Sequence, residues 1–194
     1  MLSVHLFGTI MRCNLFRQIQ ATMKKLFTLL LATASVLVFG QQVSTKSVLL
    51  EQLKSTHNVK NWFVPVNIAV DGLTPDQAGW KDKGGHSVGQ LTYHLLFWNE
   101  RQLKDFKGEK KDAFSGDNEE TFDKFDQKQW ADIVMRLDKV LTDIEKWLET
   151  ASDDQLKKHS STIANISAHN AYHTGQIISV RKAQGSWNPE KGVK

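Results

Sequence analysis

The chain has 194 residues, with 25 Lys and Arg against 21 Asp and Glu, a single cysteine and six tryptophans. Four of the basic residues, Arg12, Arg17, Lys24 and Lys25, and the cysteine, Cys13, fall within the first 40 positions, so the remainder holds 21 basic and 21 acidic side chains and no thiol. That balance excludes a basic footprint for nucleic acid, and the lack of thiols rules out disulfides, thiolate metal sites and a cysteine nucleophile beyond residue 40.

Residues 23–40 are expected to form a secretory signal peptide. Met23 is followed by Lys24, Lys25, an apolar run over residues 26–39 and Gly40, after which cleavage is expected. The run is too short and wrongly flanked for a stable membrane span. Met23 then reads as the true start and residues 1–22 as an upstream extension, with the exported protein periplasmic or secreted. Residues 41–194 suffice for one domain with a sizeable core.

Four segments of that domain carry apolar residues at helical spacing. The first covers residues 45–70, with Leu49, Leu50, Leu53, Trp62, Phe63 and Val66 on its apolar side and a kink expected at Pro65. Asp71-Gly72 ends it, and Thr74-Pro75-Asp76-Gln77 reads as a single helical turn with proline at its first position. Ser87 and Gln90 form a capping-box pattern that opens a second helix, running to residue 107. Residues 108–125 hold Gly108, Gly116, Asn118 and several acids, and read as an exposed loop. Its length is unusual for a bundle connection, which marks it as functional or mobile. Asp126 and Gln129 repeat the capping pattern before a third helix to residue 149, with Trp130, Ile133, Leu137, Leu141, Ile144 and Leu148 inward. Ser152-Asp153-Asp154-Gln155 predicts another short turn, and a fourth helix covers residues 162–184 before the stop at Gly185. No alternating segment competes as a strand, so the fold class is all-α, with the tryptophans expected to supply much of its buried bulk.

The chemistry-bearing residues lie on the fourth and second helices. His169 and His173 are four apart, so both imidazoles stack on one helical face, about 6 Å apart along the axis. Ile166, Ile177 and Val180 require burial and turn that face inward. His94 sits at the edge of the arc of Leu91, Leu95 and Trp98 and leans toward the same core. Three neutral imidazoles would hold a divalent ion and leave positions open for water or substrate. Taken alone, the HxxxH pair favours hydrogen-bonded core histidines or a chance spacing over a metal site. Gly85-His86-Ser87-Val88-Gly89 matches the GxSxG pattern, but that motif works only on a strand-to-helix elbow, and Ser87 reads as a helix cap.

The stretches Ser87-Val88-Gly89-Gln90-Leu91-Thr92-Tyr93-His94-Leu95 and His169-Asn170-Ala171-Tyr172-His173-Thr174-Gly175-Gln176-Ile177 resemble the DinB-like (DinB/YfiT) superfamily over about residues 44–184. The resemblance implies an up-down-down-up four-helix bundle, often a homodimer. It also implies a metal held by one histidine of the second helix and the HxxxH pair of the fourth, here His94, His169 and His173. The expected ion is zinc or nickel, with iron as a further candidate. His86 departs from the pattern, since many relatives place tryptophan there. The expected function is a metal-dependent hydrolase of an unidentified small molecule. The alternatives are a non-catalytic metal-binding or structural envelope protein and a thiol-dependent S-transferase, which export disfavours. His57 reads as a satisfied core histidine, His159 as a solvated helix-start residue and Glu100 as a surface acid. Gln176 and Asn165 share the ligand face, where they either orient the ligands or grip substrate, or simply pack the helix.

Overall fold

Local capping sets where most of the helices begin. The computed structural model describes residue 23, residues 43–111 and residues 113–193; apart from Met23, the signal peptide and upstream extension lie outside the described residues. Helix α1 (Thr45–His57) starts at Ser44, whose hydroxyl accepts from the Ser47 N–H. The short α2 (Val66–Val70) follows Pro65, and α3 (Pro75–Gly79) opens on a capping box of Thr74 and Gln77. In α4 (Val88–Lys107) the Ser87–Gln90 capping box starts the helix and Gly108, at φ 69°, ends it in the left-handed region that glycine enters freely. The one-turn α5 (Glu120–Asp123) lies in the connection to α6 (Trp130–Thr150). Finally α7 (Asp153–Gln184) runs 32 residues from a Ser152–Gln155 capping box to Gly185.

Side-chain contacts fix the directions of the four long helices. Lys46 Nζ donates to the Ala151 carbonyl while His57 meets Glu145 and Asp138, so α1 and α6 run antiparallel. Glu100 pairs with Arg136 and Phe106 stacks on Trp147, so α4 and α6 run parallel. His94 faces His169 and Phe106 meets His159, so α4 and α7 run antiparallel. The bundle is therefore up-down-down-up, with α1 and α4 each packed on both α6 and α7.

This topology explains the long connection between α4 and α6. Two parallel consecutive helices oblige the chain to travel back along the bundle, about 30 Å for a 20-residue helix, before the next can begin. The sequence shows this stretch as a polar loop, yet α5 buries Thr121 and Phe122 within it. Leu53, Leu91, Leu95, Leu137, Leu141, Ile144, Ile163 and Ile177 fill the core at 2 % exposure or less, each worth about 1.5–3 kcal/mol of burial.

Several expectations change. The first helix ends at His57 rather than kinking at Pro65, because Asn58 closes it with its N–H on the Lys54 carbonyl, residues 58–64 leave helical geometry, and Pro65 is extended ahead of α2. Trp62 consequently leaves the apolar side and is 90 % exposed. Of the tryptophans Trp130 is buried, its indole N–H donating to the Leu73 carbonyl, and Trp80, Trp98, Trp147 and Trp187 are half-buried. Ser152 caps the fourth helix itself rather than a separate turn. Asp126 accepts from the Lys128 N–H at a 3-10 turn, Gln127–Gln129, ahead of α6. Among the described residues no helix is long and apolar enough to cross a membrane.

Candidate metal centre

The antiparallel pairing of α4 and α7 brings His94 opposite His169 and His173. Their register is held one turn away, where the buried amides of Asn99 and Asn170 face each other: Asn99 Nδ2 donates to Asn170 Oδ1 at 2.9 Å. A ligand atom from each of the three histidines lies within 4.8 Å of the other two, with His94 and His173 buried and His169 half-buried. The Nε2 atoms of His94 and His169 are 3.0 Å apart. Two imidazole nitrogens bound to one ion at about 2.0–2.1 Å each stand roughly 2.9–3.4 Å apart, so the spacing suits a shared ion.

Hydrogen bonds outside the cluster orient two of the rings. The Thr121 hydroxyl donates to the Asn118 carbonyl at 2.6 Å, so its oxygen accepts from His94 Nδ1–H. His94 Nε2 therefore carries a lone pair toward the cluster. On α7, Gln176 Oε1 accepts from His173 Nδ1–H at 2.7 Å, and Gln176 Nε2 donates to the Tyr172 hydroxyl at 3.2 Å. That again leaves Nε2 as the atom with a free lone pair, available to a metal. Lone pairs gathered this closely need a proton or a cation among them, and the donor set fits a divalent ion.

The electrostatics favour the cation over the proton. Burial, then the like charges that His173, His169 and His86 would carry, push the His94 pKa down to about 3. Burial and His173 bring His169 down to about 4. Burial lowers His173 as well, against the raising effect of its bond to Gln176. All three imidazoles are therefore neutral near pH 7, the state a metal requires.

Aromatic packing fixes the His94 ring. Phe122 lies parallel to it with centroids 4.0 Å apart, and His86 stacks on the far side of Phe122, also at 4.0 Å. His86 thus belongs to a three-ring stack, its Nε2 3.5 Å from Glu119 Oε2.

The family model for the DinB superfamily matches residues 66–177, a span that includes α4, α5 and all three histidines. The chain belongs to the DinB superfamily. No curated protein and no solved structure matches it significantly.

Within this DinB-superfamily chain the other singled-out residues fall into place around the cluster. A cleft of about 360 Å³ opens against His169, with Asn165 on its wall rather than at the ligands. His57 makes no approach to the cluster; its Nδ1 lies 2.7 Å from Glu145 and its Nε2 2.9 Å from Asp138. Glu100 pairs with Arg136, and Ser87 serves as the α4 cap. His159 is not solvated but buried against Phe106 and Trp147. Thr121 is the residue the sequence reading missed. The apolar Phe122 beside it, with Phe125 three positions on, was the local sign that this stretch turns inward.

Proposed function

We propose that this protein is a divalent-metal-dependent hydrolase whose ion is held by His94, His169 and His173. The observation that supports the reading is the convergence of three neutral imidazoles beside a cleft, two of them oriented by Thr121 and Gln176. Zinc or nickel is the proposed ion, with iron next in order, since imidazole suits all three. A bound ion there supplies Lewis acidity, polarising a carbonyl and lowering the pKa of water. The chain's own residues supply the rest. Phe122 and Trp98 wall the His94 ring on two sides, and the cleft against His169 brings the substrate to the ligand cluster. Three protein ligands leave room for a substrate atom. The 23–40 pattern supports export to the periplasm or medium, and the resemblance supports a homodimer.

The test is turnover by the zinc- or nickel-loaded protein on ester, amide and thiol-conjugation substrates. Ester or amide hydrolysis that a chelator and His94→Ala both abolish supports the proposal. Thiol conjugation without hydrolysis would replace it with the S-transferase reading. Inactivity on all three classes would favour a non-catalytic metal-binding role.

A further inference from the structure

The cleft beside His169 carries a chemical bias of its own. Its wall includes Trp98, Gln102, Asn118, Thr162, Asn165 and Ile166, and its volume of about 360 Å³ suits one small molecule. No Asp, Glu, Lys or Arg is among the residues that line it. Arg101, next to Gln102 on α4, lies over the Phe97 and Phe114 rings instead, at 5.4 and 5.6 Å. Among the described residues, the side chains of Gln102, Asn118, Thr162 and Asn165 make no hydrogen bond, and neither does the Trp98 indole N–H. By contrast, Asn99, deeper in the wall, spends its amide on Leu95 and Asn170.

A charged group entering such a cleft would give up hydration with no counter-ion to replace it. Hydroxyls and amides would instead find several unpaired amide donors and acceptors at once, and the Trp98 and Ile166 side chains offer apolar contact for a carbon skeleton. We infer that the body of the substrate held in this cleft is an uncharged small molecule dense in hydroxyl or amide groups, of monosaccharide size. The assignment as substrate rests on the metal cluster being the reacting centre; the binding preference does not.

The experiment is a titration of isotope-labelled protein, zinc-loaded and metal-free, with N-acetylglucosamine and glucose as neutral probes and with glucosamine and glucuronate as charged ones. Nuclear magnetic resonance reads the Trp98 indole N–H and the Asn165 side-chain amide. The neutral probes are expected to shift both signals saturably, with Kd near the millimolar range. In metal-free protein, where the ion's own charge does not enter, the charged probes should bind at least about tenfold more weakly. Asn165→Leu, at an exposed position, and Gln102→Leu should each weaken the neutral probes without changing metal content. Absence of saturable shifts, equal binding of the charged probes, or insensitivity to both substitutions would overturn the inference. A protein that holds its ion but ignores neutral probes sinks this inference alone. One that binds them yet holds no ion sinks the metal reading alone.

Discussion

Thr121 Oγ1 accepts from His94 Nδ1–H while its own hydroxyl proton goes to the Asn118 carbonyl. The donor and acceptor roles along this chain of three groups are fixed, so a residue of α5 dictates which nitrogen of a residue on α4 faces the cluster. Thr121→Val keeps the shape and deletes the acceptor. Metal affinity is expected to fall about 10- to 100-fold, as for other outer-shell partners, with helicity retained. Competition against a chromogenic chelator measures it, and Thr121→Ser should restore most of the loss.

Asn99 and Asn170 form the buried amide pair that registers α4 against α7. Asn170→Leu removes the cross-helix partner of the Asn99 amide, leaving its bond to the Leu95 carbonyl, and is expected to cost about 1–3 kcal/mol in urea unfolding. The double variant Asn99→Leu with Asn170→Leu should cost less than the sum of the two single changes, because the unpaired partner is then gone.

His57 sits between two carboxylates. Burial pulls its pKa down, but the hydrogen bonds and charges of Glu145 and Asp138 outweigh that and hold it above 6.5. The folded state therefore binds this proton more tightly than the unfolded one. Its contribution is fully present below pH 6.5 and is lost as pH rises through the folded pKa. Urea midpoints should accordingly decline as pH rises above 6.5 in the wild type, and His57→Gln should lack that decline. The lowered histidines of the cluster act in the opposite sense and only below pH 6.5, so the two slopes separate.

Gly89 lies under the Phe125 ring, and a Cβ there would come within 2.1 Å of it. Gly89→Ala therefore forces Phe125 out of its place beside Trp130. The expected loss is about 1–3 kcal/mol from overpacking, read as a lowered urea midpoint. An unchanged midpoint would show that the loop carrying α5 relaxes freely.

What could be read from the sequence was what depends on neighbours three or four residues apart. The caps at Ser87 and Ser152 are i to i+3 relations, and the shared face of His169 and His173 is one of i to i+4. Residues that meet through tertiary packing were not visible in this way. Thr121 reaches His94 across 27 positions, His159 is buried by Phe106 and Trp147 from two other helices, and Trp62 is released to solvent by a helix end that Asn58 imposes. The length of the 108–125 segment was legible, and the parallel run of α4 and α6 is its cause.

The account stands most directly on the metal content of purified, tag-free protein. Elemental mass spectrometry should find about one divalent ion per chain, and His94→Ala should lose it while far-ultraviolet circular dichroism stays helical. Undiminished metal in folded His94→Ala, or none in the wild type after reconstitution with zinc or nickel, would contradict the three-histidine centre.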